Sequence, residues 1–306
     1  MRFLDVQVLL TLSYVDQFDW PLTIQEIEKR LIFTKKNKGQ KTKKKISLSL
    51  NNLLDLGLIS KKNNYFYLKK SRDNFKIRKK YEKFSLEKWT ETKEFVVLLK
   101  AIPGIKAIFV TGSLAMNAAK KNDDIDFLIV VRKNTLWLLR PLITFLALSR
   151  GKARLREFHA DNTWCLNMWL EEDSLQVLEN IRSVYTAYEV CQATPVLDKN
   201  NFAQKFLKEN KWVENYLPEY YSQRLASTRC QAESVKELEI SNLTLFGIWN
   251  FVISILNTIA FVLQRLYMST HMSHEKVGLK IALFHPRDTR NLIFRRWKES
   301  LGKIYN

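Results

Sequence analysis

The chain has 306 residues with 50 lysines and arginines against 31 aspartates and glutamates, which gives a formal net charge of +19. The length allows two or three modest domains with a proper core, and the ordinary apolar content with few glycines and prolines excludes a low-complexity or loop-rich protein. So large a positive charge favours polyanionic partners, namely nucleic acid, nucleotides or an acidic membrane surface, although a codon bias towards lysine would produce it equally well.

The three cysteines, Cys165, Cys191 and Cys230, lie far apart and show no metal-ligand spacing. An odd and sparse set of cysteines is typical of a reducing compartment. The N-terminus also lacks the pattern of a secretory signal, because Asp5 interrupts its apolar stretch and no small-residue cleavage site follows. We therefore expect a cytoplasmic protein.

Residues 1–72 have the pattern of a winged-helix domain. An apolar first helix is followed by Thr23 and Glu26, which are spaced as a capping box for a second helix. A third helix ends at Gly57, and two short apolar runs on either side of Asn63 and Asn64 predict a β-hairpin, the wing.

The segment between the second and third predicted helices is rich in lysine and includes Lys41 to Lys45. Winged helices often place their third helix in the major groove of DNA, so this basic segment would approach the phosphates first. Ser47, Ser49 and Asn51 could then face DNA, although they are not the arginines that DNA-reading helices favour. Winged helices also serve as protein-packing units, so both roles stay open for this domain.

Residues 73–182 change to a pattern of helix, strand, helix, strand and helix. A charged amphipathic helix runs to about residue 100, and apolar runs predict strands from Ile105 to Val110, from Phe127 to Val131 and from Thr163 to Leu170. These elements predict a domain built on a small mixed sheet. After Ser174 the pattern is helical, which predicts that residues 183–306 form a helical C-terminal region.

The segment from Leu243 to Leu263 is long and hydrophobic enough to span a bilayer. Asn250, Ser254 and Asn257 nevertheless recur at helical spacing and form a narrow polar stripe along one face. The flanking charges are basic or mixed on both sides and give no orientation. We therefore expect a helix buried against the C-terminal region, and a membrane span is the alternative.

The residues that bear most directly on chemistry lie between the first two strands of the central domain. Gly112 lets the backbone approach phosphate oxygens, and Ser113 offers a hydroxyl and an N–H at the start of a helix expected from Leu114 to about Lys120. Asp124 and Asp126 lie at positions i and i+2 of an extended segment, so their carboxylates point to the same face. Two adjacent carboxylates repel each other unless a cation lies between them, which predicts a divalent metal site.

The stretch from Val110 to Phe127 resembles the signature of the nucleotidyltransferase superfamily that includes DNA polymerase beta. That signature is an apolar strand end, glycine, glycine or serine, a helical stretch, and then aspartate, an apolar residue, and aspartate or glutamate. The resemblance implies a nucleotidyltransferase fold in which Gly112 and Ser113 bind the triphosphate. Asp124 and Asp126 would be the catalytic residues that ligate Mg²⁺ or Mn²⁺.

The superfamily usually has a third carboxylate on a later strand, and this sequence departs from the pattern there. Asn167 stands on the third predicted strand where an acid is expected. An asparagine can ligate a metal through its amide oxygen but cannot act as a base. Asp161, just before the strand, would serve if the strand begins earlier. The third metal ligand is therefore either Asp161 or Asn167. Whether the domain is catalytically competent depends on which of them it is.

A wider resemblance covers the whole order of elements. It is to a group of prokaryotic nucleotidyltransferase-domain proteins with an N-terminal winged helix, and it rests on Val15 to Thr23, Gly112 to Asp126 and the Cys165-Leu166-Asn167 strand. It implies an α+β fold with an N-terminal winged helix, a central nucleotidyltransferase domain on a small mixed sheet, and a helical C-terminal region. No substrate follows from it.

Two functions follow from these patterns. The first is a Mg²⁺-dependent enzyme that moves a nucleoside monophosphate from a nucleoside triphosphate to an unidentified acceptor. The second is a catalytically degraded nucleotidyltransferase fold that acts as a nucleotide- or nucleic-acid-binding regulator. Nucleic acid would in either case bind through the basic winged helix.

Overall fold

A computed structural model of the chain describes residues 2–33, 43–69, 74–153, 162–230, 243–269, 276–284 and 289–305. Within these residues the fold is of the mixed α+β class that the sequence predicts, with helices packed on both faces of a central sheet.

The N-terminal region combines three helices with a small antiparallel sheet whose strand order is β1-β3-β2. Thr23 and Glu26 form the predicted capping box: the Thr23 hydroxyl accepts from the Glu26 N–H at 3.3 Å, and the Glu26 carboxylate accepts from the Thr23 N–H at 2.8 Å. These elements occur in the predicted order, and their assignment as a winged helix stays a prediction. The bounds are α1 (Phe3–Asp16), β1 (Leu22–Thr23), α2 (Ile24–Arg30), α3 (Lys43–Asp55), β2 (Ile59–Lys62) and β3 (Tyr65–Leu68).

A six-stranded mixed sheet forms the centre of the molecule. Its first three strands in sequence match the three that the apolar runs predict: β4 (Ile105–Val110), β5 (Ile125–Val131) and β6 (Trp164–Glu171). The last three are β7 (Thr194–Asp198), β8 (Lys276–Val277) and β9 (Ile281–Leu283). The strand order is β7-β4-β5-β6-β9-β8, and β5 and β6 are the parallel pair.

The expectation of helices alone after Ser174 is therefore wrong. Strand β7 pairs with β4 at one edge of the sheet, and β9 pairs with β6 on the other side. Strand β9 has only three residues, and the five-residue β7 includes Pro195, a residue that strands disfavour, so neither gives a clear strand signal. Their extended conformation is stabilised by pairing with strands far away in the sequence.

Eight further helices surround the sheet, and the shortest differs from its prediction. The helix expected from Leu114 to about Lys120 is only the four-residue α5, because Asn117 adopts a left-handed φ of 57° that ends it. The bounds are α4 (Phe75–Leu99), α5 (Gly112–Ala115), α6 (Leu136–Ser149), α7 (Val184–Gln192), α8 (Phe202–Glu209), α9 (Pro218–Cys230), α10 (Leu243–Ser269) and α11 (Thr289–Tyr305).

The two faces of the sheet belong to two hydrophobic clusters. One face contributes Ile108 and Phe127 to a cluster with α4 and α6. The other contributes Phe109 to a cluster that also includes the N-terminal region and α7 to α9. The Tyr14 and Tyr188 rings stack at 4.5 Å within this second cluster, so the N-terminal region and the sheet share a core. The division into 1–72, 73–182 and 183–306 stays a prediction.

Helix α10 contradicts the expectation that its apolar segment is buried. By length and mean hydropathy this helix could cross a membrane, and only 6% of its apolar window is buried among the described residues. The polar stripe faces the protein: Asn257 and Gln264 bond to α6, and Asn250 accepts from Arg132. The reason is that α6 offers polar partners to α10, so the apolar side of α10 faces outward.

Candidate functional site

The site is built where β4 ends and β5 begins, because these neighbouring antiparallel strands bring Thr111 and Asp126 together. The Thr111 N–H donates to the backbone oxygen of Asp126 at 2.9 Å. Gly112 follows with a φ of 63°, and a Cβ at this position would overlap with Oδ2 of Asp126. Only glycine adopts this conformation without strain and leaves room for the carboxylate. The predicted glycine and the predicted aspartate are thus in direct contact.

Ser113 lies beside a carboxylate that the motif does not include. Its hydroxyl donates to Oδ2 of Asp123 at 3.0 Å, and the same oxygen accepts from the Lys120 N–H at 2.9 Å. Asp123 therefore closes the loop between α5 and β5 and orients the Ser113 hydroxyl. In the sequence, Asp123 has only the pattern of a polar turn before a strand, which gives no signal for this role.

Asp124 is anchored to the start of β6. Its Oδ1 accepts from both the N–H and the hydroxyl of Thr163, at 2.9 and 2.7 Å. Two bonds to one oxygen fix the orientation of the carboxylate. Asp124 also acts on Asp126, because the repulsion between their charges contributes to the raised pKa of Asp126.

Asp126 has the most perturbed chemistry of the predicted site residues. Burial is the largest cause that raises its pKa, to about 6, and the charges of Asp124 and Asp123 add to the effect. A hydrogen bond from the Cys165 thiol acts in the opposite direction. The register explains that contact, since Asp126 pairs with Cys165 across β5 and β6. A nearby cation would stabilise the charged form of this carboxylate.

The two candidates for a third metal ligand have different outcomes. Asp161 lies outside the described residues. Asn167 lies in β6, but the residue paired with Asp126 is Cys165, and the register between the two strands shifts before Met168. The backbone oxygen of Asn167 accepts from Phe284 in the segment after β9. The structure therefore brings Cys165, rather than Asn167, alongside Asp126.

A further carboxylate near Asp126 comes from a helix and escaped the sequence reasoning. Burial raises the pKa of Glu189, on α7, to about 7, and the charge of Asp126 contributes to the rise. The sequence signal was a single acid within the apolar stretch from Ala187 to Cys191. Glu189 is 63 residues from Asp126 in the sequence, so only the fold shows that their charges interact.

Glu189 and Thr111 line a largely apolar cavity of about 390 Å³ beside the site. Most of the other lining residues are aliphatic or aromatic, and Arg290 of α11 contributes a charge. The cavity is of the size and character that small-molecule sites usually have. Its remaining lining includes Leu128, Met168, Leu170, Tyr185, Phe206 and Leu283.

Lys88 of α4 is a third residue near the site that the motif did not include. Its ammonium donates to the backbone oxygen of Asp123 at 2.6 Å and to Asn162 Oδ1 at 2.5 Å. Burial lowers its pKa, while the charges of Glu91, Asp123 and Asp124 act to raise it. Lys88 thus ties α4 to both segments that position the carboxylates.

The carboxylates fit a divalent metal with two protein ligands better than a complete cage. No group of three or more His, Cys, Asp or Glu side chains suited to a metal occurs in the described part of the chain. Mg²⁺ commonly binds through one or two carboxylates together with substrate phosphates, so this donor set suits it.

Comparisons with known proteins agree with this geometry. Residues 91–173 match the family model described as a nucleotidyltransferase domain. The match includes Gly112, Ser113, Asp124, Asp126 and the whole of β6. No curated protein and no solved structure matches the chain significantly.

Proposed function

We propose, from the premise that residues 91–173 form a nucleotidyltransferase domain, that the protein transfers a nucleoside monophosphate from a nucleoside triphosphate to an acceptor hydroxyl. The observation that carries the proposal is the contact of Gly112 with Asp126. This contact places the turn that would bind phosphate next to the carboxylate that would bind the metal. Phosphoryl transfer depends mainly on such positioning.

Each predicted residue has a role in this proposal. Gly112 and Ser113 bind the triphosphate, and Asp124 and Asp126 hold Mg²⁺ or Mn²⁺. A divalent ion at this position supplies neutralisation of the phosphate charge. The α5 helix is too short to contribute much dipole, so the backbone N–H groups of the Gly112-Ser113 turn make the phosphate contacts, while the Ser113 hydroxyl donates to Asp123.

Glu189 is the residue that we assign to the acceptor. It lines the apolar cavity beside Thr111, and its pKa of about 7 suits a group that takes up a proton at neutral pH. The acceptor hydroxyl gives its proton to the Glu189 carboxylate while its oxygen bonds to the α-phosphorus. The bond from that phosphorus to the bridging oxygen breaks, and pyrophosphate leaves. Glu189 thereby supplies the base that Asn167 cannot.

The test is transfer of label from each of the four α-³²P nucleoside triphosphates, with Mg²⁺ or Mn²⁺, to fractions of cellular RNA, protein and small molecules. We expect Asp126→Asn to abolish transfer, because it removes a metal-binding charge. Asp173→Asn is the matched control, since Asp173 is partly exposed and pairs with Lys280. Unchanged transfer by Asp126→Asn would reject the assignment.

Glu189→Gln separates the base from nucleotide binding. We expect kcat to fall roughly 10²-fold, the lower range for loss of a general base, while the affinity for the nucleotide stays the same. A variant with the kcat of the wild type would exclude Glu189 from the reaction and leave the roles of the two aspartates standing.

The alternative function is binding without turnover, and Asn167 in place of a third acid is the observation that favours it. It predicts nucleic-acid affinity that falls steeply with salt and no transfer of label. Neutralising Lys41 to Lys45 should then weaken binding in a gel-shift series over salt. Residues 34–42, which include Lys41, lie outside the described residues, whereas Lys43 to Lys45 begin α3.

A further inference from the structure

A second cavity, of about 240 Å³, lies where the N-terminal region meets the nucleotidyltransferase domain. The N-terminal region contributes Trp20, Lys29 and Arg30, and α9 contributes Arg224. The central domain contributes the end of α5 and the residues just after it, including Asn117. The lining is polar, in contrast to the apolar cavity beside Glu189. This cavity contains none of the residues assigned to the metal or to the triphosphate.

Every buried side-chain atom without a partner on this lining is a hydrogen-bond donor. These atoms are Nε1 of Trp20, Nε and Nη1 of Arg30, and Nε of Arg224. Trp20 and Arg30 are only 2% and 9% exposed. An unpaired buried donor costs free energy, and a buried cation costs more. Four such donors on three of the residues that line one cavity favour a ligand that offers only acceptors.

The acids on the lining are already engaged. Glu26 and Glu82 both pair with Arg78, at 2.7 and 2.9 Å. Among the described residues, Lys29, Arg30 and Arg224 thus form a cluster of three cations on which Glu26 acts only through its charge, because the Glu26 carboxylate is paired with Arg78. The effect is visible at Lys29, whose pKa is lowered by burial and by the charges of Arg30 and Arg224.

We infer that this cavity binds a phosphate-bearing small anion, distinct from the nucleoside triphosphate. Phosphate oxygens are strong acceptors that match the fork of an arginine, and the cavity has room for more than one phosphate group. Such a ligand would touch both the N-terminal region and the segment just after the Gly112-Ser113 turn. It would therefore couple the two regions.

Calorimetric titration of the full chain with inorganic phosphate and with pyrophosphate, in EDTA, tests this inference. The EDTA removes any metal-dependent binding at the aspartates, so the result is independent of the proposed transferase activity. We expect binding that weakens at least about tenfold in Arg30→Gln and in Arg224→Gln, because each loses charge-assisted bonds. Phosphate and pyrophosphate distinguish a single-phosphate ligand from a diphosphate.

The controls are Asp126→Asn and Arg150→Gln, since Arg150 is exposed and lines neither cavity. Both should bind like the wild type. Thermal unfolding checks that the variants fold. Arg30→Gln should lose the rise in Tm that the ligand produces in the wild type. Its Tm without ligand should not fall, because the substitution removes a costly buried charge. Absence of binding in the wild type, or binding by both cavity variants that is as tight as that of the wild type, would overturn the inference.

The outward face of α10 independently carries a second inference. Asn250 and Asn257 accept hydrogen bonds from the domain and Gln264 donates one to it, so every second turn of the helix is tied to the domain and the apolar face is oriented outward. Arg265 is the one charged residue in α10. Apolar side chains exposed on this helix are Trp249, Phe251, Val252, Ile255, Leu256, Ile259, Val262, Leu263, Leu266 and Tyr267, and Leu142 and Phe145 of α6 are exposed as well.

We infer that this face docks in the interfacial layer of an anionic lipid bilayer. A helix held lengthwise against a folded domain has the geometry of an interfacial helix. The net charge of +19, with the exposed Arg265 in α10 and the exposed Arg150 just after α6, complements anionic headgroups. A second copy of this strongly basic chain would instead repel.

Co-sedimentation with vesicles of phosphatidylglycerol and phosphatidylcholine, against phosphatidylcholine alone, tests the docking. We expect binding to the anionic vesicles that is lost in Phe251→Glu/Leu266→Glu and kept in Leu86→Glu, a matched exposed leucine on α4. Alkaline carbonate should release the bound protein. Retention after carbonate would indicate a span, and a dimer without vesicle binding would indicate self-association; either result overturns the inference.

Discussion

Gly112 is the residue on which the geometry of the site depends most directly. Its left-handed φ strains most other residues, and its contact with Asp126 leaves no room for a Cβ. We expect Gly112→Ala to abolish nucleotide transfer, because the new Cβ must displace the carboxylate, and to lower the free energy of unfolding by about 1–3 kcal/mol. Transfer assays and urea unfolding measure the two effects.

Gly302→Ala is the control for that substitution. Gly302 lies in α11 with open space around it and no left-handed φ, so alanine should be neutral or slightly stabilising. If Gly112→Ala behaved like Gly302→Ala in both assays, the contact with Asp126 would not matter for function.

The raised pKa values of Asp126 and Glu189 predict how stability depends on pH without metal. Both folded-state values, about 6 and about 7, lie above the ordinary 3.8 and 4.5. The folded protein therefore holds more protons than the unfolded chain from about pH 4 to pH 7, and the free energy of unfolding falls as pH rises through that window.

Urea unfolding from pH 4.5 to 7.5 in EDTA measures this effect. We expect the decline to be shallower in Asp126→Asn than in the wild type, because the asparagine does not titrate. Addition of Mg²⁺ at pH 7.5 should raise the Tm of the wild type only. Parallel pH profiles for the two proteins would contradict the assigned environment of Asp126.

At the scale of elements, the pairing of α6 with α10 shows how a distant residue caps the start of a helix. Thr135 at the start of α6 makes no side-chain cap, and instead Oδ1 of the buried Asn257 accepts from the Trp137 N–H at 2.8 Å. The polar stripe of α10 thus includes residues that make hydrogen bonds to α6.

We expect Asn257→Leu to lower the free energy of unfolding by about 1–3 kcal/mol, since a buried N–H loses its acceptor. Thr258→Ala, at the next and exposed position, should change it little. Urea unfolding monitored by circular dichroism compares the two. Equal stabilities would mean that α10 contributes little to the start of α6.

At the scale of the whole molecule, contacts join the N-terminal region to the rest. The Tyr188 hydroxyl donates to the backbone oxygen of Arg30 at 2.6 Å, and Trp297 Nε1 donates to the Ser13 hydroxyl at 2.8 Å. These bonds are buried, and the surrounding core continues across the boundary at residue 72. The polar cavity that we assign to a phosphate-bearing ligand lies along the same junction.

We expect the chain to unfold in one transition in which tryptophan fluorescence and circular dichroism coincide. Tyr188→Phe should lower the free energy of unfolding by about 1 kcal/mol and keep the transition single, because it removes one buried hydrogen bond. Two separated transitions in the wild type would show that the N-terminal region is stable on its own.

The sequence by itself determined the local features of this protein. The capping box, the helix stop at Gly57, the hairpin and strands β4 to β6 follow from residues close together in the chain, because caps, turns and apolar periodicity act over a few positions. Gly112, Asp124 and Asp126 also stand out in the sequence, and their roles as a phosphate turn and a carboxylate pair stay a prediction, since such sites need particular residue types at short spacing.

Only the tertiary structure decided the contacts between distant segments. Strand β7 exists as a strand because β4 pairs with it, and Cys165 lies beside Asp126 because of the strand register. Glu189, the donor-lined cavity and the outward apolar face of α10 depend on which helix packs on which surface. Burial and electrostatic coupling arise from proximity in space, and sequence spacing does not encode that proximity.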